Sequence, residues 1–245
     1  MTIKKRVRGL VVAVIILHII WWGASLLLNK EILPGPLKVY ETFPKLIENQ
    51  LGWHILVSLR RMAIGMGSAL MLGGIVGILM GRFSKVNHFL DPIIYLTYPI
   101  PKLALLPMIM LLFGLGELSK ILLIILIVFP QVVLSVRDAI LQIPKPLYDV
   151  YECMNASRWS IFKLVTFPAS LGALLSTSRV SLGTAISVLF FTENYGTEYG
   201  MGHIIMDAWL RMDYPQMYGA ILTLSLVGFL LFSLIDMMGR LLKKG

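Results

Sequence analysis

The side chains that could carry out chemistry in this 245-residue chain are few and widely spaced. The four histidines, His18, His54, His88 and His203, and the one cysteine, Cys153, show no metal-ligand spacing and allow no intrachain disulfide. The sequence contains no G-x-x-x-x-G-K-[ST] phosphate-binding loop, no H-E-x-x-H and no G-x-S-x-G. We therefore expect no catalytic residue, no metal and no cofactor in this chain.

A second group of candidate residues consists of charges within or beside long apolar runs. An ionisable side chain inside a membrane is costly and normally faces the protein interior or a water-filled path. Arg179 is therefore expected either to line a path or gate or to pair with another residue. Lys102, beside Pro101, either lines the path or extends its ammonium to the inner interface. Glu193 and Glu198 are expected near the outer mouth, solvated or in contact with another protein, and Glu193 and Pro101 are further candidates for the path or gate.

The composition indicates the medium in which these residues lie. The chain is 57% hydrophobic and 14% charged, with a mean hydropathy of +0.81, whereas soluble domains carry about 25% charged residues. The net charge of +9 is compatible with nucleic-acid binding or with basic cytoplasmic loops. Because the charges stand between the apolar runs, the loops are favoured and no nucleic-acid partner is expected.

Six apolar runs can each cross a bilayer core of about 30 Å. They cover 9–28, 62–81, 92–113, 118–136, 171–192 and 217–238. The first run is too long for a signal peptide and has no small-x-small site closing it, so we expect a retained helix. Lys and Arg are enriched about two to one in the segments that lie inside if the N-terminus does. The sequence predicts one all-α membrane domain, 1–245, with about six spans and both termini cytoplasmic.

Two features between these runs predict packing. Gly73, Gly77 and Gly81 recur four residues apart, so they form a small-residue ridge on one helix face. The ridge packs within the chain or at a dimer seam, and we favour the first. In the external segment 29–61, a short interfacial helix is predicted after the turn at 34–36.

The longest internal loop, about 137–170, has a more specific pattern. Its sequence predicts a helix over 147–154, a sharp turn, a second helix over 158–165, and a stop at Phe167 and Pro168. Asn155 suits the turn because asparagine tolerates left-handed backbone angles. Ser157 is placed to cap the second helix. By spacing alone this segment is either an exposed knob or an ordinary loop folded back on the bundle.

This loop resembles the EAA loop of ABC importer permeases, a Glu-Ala-Ala sequence followed by a glycine and then by Leu-Pro. Asp149 stands at the Glu position, Asn155 at the glycine position and Pro168 at the proline position, while Val-Tyr replaces Ala-Ala. The Ala-Ser-Arg-Trp segment is similar to the nitrate, sulfonate and taurine group of these permeases. Further similar segments occur in order along the chain, at 58–61, 99–107, 113–117, Arg179, Glu193 and 199–202.

The resemblance implies a type I ABC importer permease of the bacterial inner membrane. Such permeases dimerise, here expected as a homodimer, around a path for a small solute such as a sulfonate, taurine, nitrate or a related metabolite. An extracytoplasmic binding protein delivers the solute, and partner ATPase subunits bind ATP and Mg. The loop would be the coupling helix that docks on the ATPase. Its expected contacts are Asp149, Glu152, Asn155, Ser157 and Arg158, with Tyr151 and Trp159 as apolar contacts.

Two other classes of protein fit such a composition. A secondary transporter or channel would work without ATP, but the chain shows no internal repeat and few carboxylates within its spans. A membrane-embedded enzyme would need a nucleophile, a metal or paired acids, and the sequence shows no such constellation.

Overall fold

The computed structural model describes the backbone of residues 3–242 and the side chains of residues 8–241. Within that range the chain is helical and contains no strand. The helices are α1 (Ile3–Leu28), α2 (Pro36–Tyr40), α3 (Phe43–Glu48), α4 (Leu51–Arg82), α5 (Ser84–Thr97), α6 (Leu106–Phe113), α7 (Glu117–Leu141), α8 (Lys145–Cys153), α9 (Arg158–Ile161), α10 (Phe167–Glu193), α11 (Met201–Leu210) and α12 (Tyr214–Leu242). A 3₁₀ turn, Lys102–Leu105, precedes α6, and a π-helical turn, Phe162–Thr166, precedes α10.

The core of the bundle is formed by α4, α7 and α10, with α7 in the centre. Six apolar side chains along α7 have no exposed surface, and five of them face one shared core: Leu123, Ile124, Val128, Val132 and Val136. They pack against Met62, Met66 and Ala69 of α4 and against Leu182, Ala185 and Leu189 of α10. Elsewhere many large apolar side chains are exposed, as expected for helices whose outer faces meet lipid.

The glycine ridge of α4 packs within the chain, as favoured from the sequence. A Cβ atom added at Gly77 would lie 2.8 Å from the carbonyl oxygen of Val133 and from the Cβ of Val136. Gly73 and Gly81 meet α7 just as closely. These small residues let the two helix backbones approach each other at a distance that any side chain would prevent.

The prediction of about six spans is confirmed, but the third span is broken. Five helices are long and apolar enough to cross a membrane, and α5 with the Lys102–Phe113 segment forms a sixth candidate bent by 80°. Pro99 and Pro101 cause the break because neither can donate a backbone hydrogen bond. Lys102 Nζ donates to the carbonyl oxygens of Thr97 and Tyr98, at 3.1 and 2.9 Å, and so satisfies the broken end of α5.

The segment between α1 and α4 is shorter than the sequence predicted. The prediction of a single interfacial helix within it is wrong. Gln50, with φ +58°, turns the chain directly into α4 at Leu51 instead of near Met62. Two short helices, α2 and α3, precede that turn. Val39 and Leu46 are fully buried, and a Cβ on Gly219 of α12 would lie 2.8 Å from Leu46 Cδ1. The segment therefore packs on the last helix of the bundle.

The proline stop predicted at the end of the long loop is also wrong. From Arg158 to Glu193 the chain forms one helical stretch of 36 residues. Pro168 lacks an N–H, and its ring would collide with a carbonyl one turn back in a regular helix. The π-helical turn at Phe162–Thr166 widens the helix immediately before this proline. As a result, only residues 142–157 of the predicted loop lie between the end of α7 and this long helical stretch.

Candidate functional site

Two sites stand at opposite ends of the bundle. At one end, α7 leaves the core at Leu141, α10 enters it at Phe167, and the segment between them projects as a knob, residues 145–161. At the other end, α7 begins at Glu117 and α10 finishes at Glu193. A buried polar cluster, defined below, lies there.

The turn of the knob has the geometry expected from its residues. Asn155 has φ +51°, in the left-handed region. Ser157 has extended backbone angles, and its side-chain oxygen accepts a hydrogen bond from Ser160 N at 3.2 Å. The predictions of a left-handed turn at Asn155 and of a capping Ser157 are confirmed.

All the residues predicted to dock on a partner reach the surface of the knob. Asp149, Glu152, Asn155, Ser157 and Arg158 are exposed, and Tyr151 is half-buried. Trp159 is 70% exposed and stacks on Phe162 with ring centroids 5.5 Å apart. Their contact with an ATPase stays a prediction.

The knob also carries an exposed apolar stripe that was not predicted from the sequence. Leu147, Val150 and Met154 stand three and four residues apart, which places them on one helical face, and they are 45, 55 and 73% exposed. The spacing was visible in the sequence, but burial inside the protein would produce the same spacing. Together with the carboxylates, this stripe makes a mixed apolar and acidic surface, the composition of a protein-binding site.

The opposite face of α8 is held by one tyrosine. The Tyr148 hydroxyl lies 3.2 Å from Thr166 Oγ1, within the π-helical turn. The guanidinium carbon of Arg82, at the end of α4, lies 4.8 Å from the centre of the Tyr148 ring. This cation–π contact and hydrogen bond connect the knob to the end of α4 and to the π-helical turn that precedes α10.

Replacing Asn155 by valine is expected to open the knob, because a β-branched residue in the left-handed region costs about 1–2 kcal/mol. We expect faster protease cleavage within 142–157 in Asn155→Val than in the wild type. Asn155→Gly is the matched control, since glycine adopts this backbone conformation freely. Equal cleavage of the valine variant and the wild type would contradict the role given to the turn.

At the other end of the bundle lies the buried polar cluster. It comprises His54, Ser58 and Arg61 of α4, Glu117 and Lys120 of α7, and Glu193 of α10. The backbone of residues 199–202 covers it, and Glu117 alone in the cluster is appreciably exposed. Two cations and two carboxylates meet here, so their charges balance.

Glu193 is at the centre of this cluster. Its carboxylate accepts hydrogen bonds from Ser58 Oγ at 2.8 and 2.9 Å and pairs with Arg61 Nη1 at 2.7 Å. It also accepts from the backbone N–H of Gly202 at 2.8 Å. The side chain has no exposed surface, so the expectation of a solvated Glu193 at the outer mouth is wrong. Its part in a gate stays a prediction.

Arg61 links three elements of the cluster. Its Nε donates to both carboxylate oxygens of Glu117, at 3.0 and 3.1 Å, and its Nη1 also donates to the carbonyl oxygen of Tyr199 at 2.8 Å. Lys120 Nζ donates to the carbonyl oxygens of Leu115 and Gly116, at 2.7 and 3.1 Å. Every one of these charged groups is therefore bonded inside the protein.

The cluster acts as a structural clamp and shows no sign of a catalytic centre. Glu193 accepts hydrogen bonds from Ser58, Arg61 and Gly202, and no group of three His, Cys, Asp or Glu within the described residues could hold a metal. His54 Nδ1 lies 2.9 Å from the carbonyl oxygen of Gly200 and fastens the covering loop. Arg61 and Lys120 stand within apolar stretches, and that signal could have identified the cluster from the sequence.

Arg179 pairs with a second helix. Its Nη1 lies 3.0 Å from Asp236 Oδ1 on α12, and Arg240 also pairs with Asp236, at 2.5 Å. Gly239 makes room for the guanidinium, since a Cβ there would lie 2.7 Å from Arg179 Nη2. The structure thus contains the pairing alternative for Arg179, although the side chain also borders a groove of about 450 Å³ between α10 and α12.

Lys102 and Pro101 border a cavity of about 270 Å³ beside the break between α5 and α6, and Gln131 of α7 lines its other wall. At 1.5 Å per residue, Gln131 lies about 21 Å along α7 from Glu117 and about 15 Å from Leu141. Lys102 therefore lies beside the middle third of α7, and both alternatives for it, a path residue or an interfacial lysine, stay predictions.

The helical bundle, with the knob at one end and the buried polar cluster at the other, is typical of a membrane transport protein. The chain belongs to the family of binding-protein-dependent transport system inner membrane components, whose family model matches residues 69–245. It is accordingly a multi-pass inner-membrane permease subunit of an ABC importer, which is consistent with the expectation of no enzymatic activity.

The chain is also similar to individual transport permeases and to a solved transporter structure. The chain is 31% identical to the taurine transport system permease protein of Escherichia coli (strain K12), over 88% of this chain and 82% of that protein. It is also 31% identical to the putative aliphatic sulfonates transport permease protein of Bacillus subtilis (strain 168), over 97 and 87%. The riboflavin transport system permease protein of Chloroflexus aurantiacus is 30% identical, over 96 and 88%. An inward-facing structure of the MetNI methionine ABC transporter shares the fold, with a TM-score of 0.67, 19% identity and coverage of 82 and 98%.

Proposed function

We propose that two copies of this chain form the translocation path for a small organic anion of the sulfonate type. The knob docks on a cytoplasmic ATPase subunit that binds ATP and Mg, and an extracytoplasmic protein delivers the solute at the end with the buried polar cluster. Both termini then lie in the cytoplasm, because α12 ends beside the start of α10 and the end of α1 lies beside the start of α12.

The single observation that carries this proposal is the exposed surface of the knob. Asp149 and Glu152 lie beside the apolar stripe of Leu147, Val150 and Met154, and no other part of the described chain covers them. An apolar stripe outside a membrane span is costly in water and gains free energy when a partner covers it. The contacts of Tyr148 with Arg82 and Thr166 link the helix that would bind this partner to the core of the bundle.

A second copy is needed because the core of one chain is closed. The glycines of α4 bring it so close to α7 that a Cβ added at Gly73, Gly77 or Gly81 would lie below 3 Å from α7 atoms, which leaves no space for a solute between these two helices. The cavities lie on the periphery, beside the helix break and along α10. A path along this periphery becomes enclosed when another copy faces it.

The solute class is supported by two observations. The relatives at 31% identity are named for taurine and aliphatic sulfonates, which carry an anionic sulfonate group. In this chain, Lys102 and Arg179 place cationic groups beside peripheral cavities within the spans. These cations favour an anion over the bulky riboflavin for which the relative at 30% identity is named.

The proposal is tested by co-purification with the ATPase subunit of the same transporter. We expect the ATPase to accompany the wild-type permease in mild detergent and to be reduced at least about tenfold with Asp149→Arg and Glu152→Arg together, since opposed like charges cost several kcal/mol. Both positions are exposed, so the permease itself should fold normally.

The control variant carries Glu41→Arg and Glu48→Arg, which make the same charge change on exposed residues near the opposite end. It should retain the ATPase. Equal retention by both double variants would show that the contact residues are wrong, and a wild-type permease without any ATPase would refute the proposal.

A further inference from the structure

The ammonium group of Lys102 is incompletely paired at the break between α5 and α6. Two of its three N–H groups are used by the carbonyl oxygens of Thr97 and Tyr98, and its Nζ lies 5.5 Å from the centre of the Tyr98 ring. Among residues 8–241, the ion pairs of the carboxylates involve other cations. One donor and a full positive charge therefore remain without an anion.

The cavity beside Lys102 has room for a ligand. Its volume is about 270 Å³, several times the roughly 30 Å³ that one water occupies in the liquid. An ammonium without a carboxylate partner is stabilised by water or by an anion, and this cavity has room for either. Ile100 and Lys102 line one wall, and Pro130 and Gln131 of α7 line the other.

Polar side chains continue from this cavity across the core. Gln131 Oε1 accepts a hydrogen bond from Ser181 Oγ of α10 at 2.9 Å. One turn of α7 further on, Thr177 Oγ1 of α10 donates to Ser135 Oγ at 2.5 Å. The cavity thus lies where the break between α5 and α6 meets polar contacts between two core helices. Helix breaks of this kind provide binding sites in transporters because they combine open backbone with polar groups.

We infer that Lys102 is the anion-binding residue of a solute site in the cavity beside the break between α5 and α6. The ammonium binds the acidic group of a small organic anion, while Gln131 offers its amide from the facing wall. This inference rests on the proposed import of an anion, and it adds the position of the site and the residue that selects the charge.

The site is tested in the full chain within native membrane vesicles, independently of transport. Ile100→Cys is introduced together with Cys153→Ser, which removes the native exposed thiol. Labelling rates are then compared for two methanethiosulfonate reagents, one bearing a sulfonate and one bearing a quaternary ammonium. We expect Ile100→Cys to label readily and Lys102→Met to lower the anion-to-cation rate ratio at least about tenfold, because one unit charge is removed near the thiol.

The labelling experiment has two control variants. Lys102→Arg should keep the rate ratio, because it keeps the charge. Leu17→Cys, on an exposed apolar face in the middle of α1, should label slowly with both reagents, since thiolates do not form in lipid. An Ile100→Cys that labels no faster than Leu17→Cys, or a rate ratio unaffected by Lys102→Met, would overturn the inference.

Uptake by the assembled transporter gives a second readout, with labelled taurine and ethanesulfonate as probes. Lys102→Met should reduce uptake of the transported probe at least about tenfold, with the ATPase still co-purifying, whereas Lys102→Arg should retain most of it. Unchanged uptake by Lys102→Met would overturn the site. Loss of the ATPase from the wild type would refute the proposed function instead, and the labelling experiment would still decide the site.

Discussion

Replacing Arg61 by methionine is expected to lower the free energy of unfolding by about 3–5 kcal/mol, the cost of removing one partner of a buried ion pair. Glu193 would keep its charge without any exposed surface, and the carbonyl oxygen of Tyr199 would lose a donor. The loop over residues 194–200 would also lose one of its ties to α4, while the contact of His54 with Gly200 would remain. The measurement is the midpoint of unfolding of the purified permease in detergent, followed by tryptophan fluorescence.

The adjacent Arg60 provides a matched control, because it is exposed on the same helix. Arg60→Met should change the midpoint little, since exposed charges contribute at most about 1 kcal/mol. The double variant Arg61→Met with Glu193→Gln should regain part of the loss, because no unpaired charge then remains buried. If Arg61→Met and Arg60→Met unfold at the same midpoint, the cluster is not the clamp described here.

Replacing Gly77 by leucine is expected to prevent correct folding, because the side chain would have to occupy the space of the α7 backbone. The carbonyl oxygen of Val133 lies only 2.8 Å from the Cβ position, and a backbone atom cannot rotate aside. Gly77→Ala should still fold, with a loss of about 1–3 kcal/mol from overpacking. The measurements are the yield of monodisperse protein for Gly77→Leu and the unfolding midpoint for Gly77→Ala.

Gly67 is the control on the same helix, since a Cβ there would meet nothing within 4 Å. Gly67→Leu should give wild-type yield, and Gly67→Ala should be neutral or slightly stabilising, because alanine favours the helix over glycine. A Gly77→Leu variant as well folded as Gly67→Leu would contradict the close approach of α4 and α7.

Much of the fold could be predicted from the sequence, because its signals are local. A run of about 20 apolar residues must become a helix in lipid, where each backbone polar group has to be satisfied within the segment. The left-handed turn at Asn155 and the cap at Ser157 depend on the stereochemistry and hydrogen bonding of single residues. The spacing of Gly73, Gly77 and Gly81 indicated a packing face in the same way.

The charged side chains were predictable only as a set of alternatives. A charge within an apolar run indicates that a partner or water must be near, but the run does not say which. Arg61 and Glu193 are separated by 132 residues and meet only because α4 and α10 converge at one end of the bundle. Arg179 met Asp236 for a similar reason, through the contact of α10 with α12.

The sequence by itself therefore determined the helical class, the approximate spans, the turn of the knob and the similarity to importer permeases. Tertiary structure alone decided that Glu193 is buried, that Lys102 lies at the break between α5 and α6 without a carboxylate partner, and that Pro168 is accommodated by a π-helical turn instead of ending a helix. The physical reason is that local stereochemistry and hydrophobicity act between near neighbours, whereas the pairing of charges depends on which helices pack together in three dimensions.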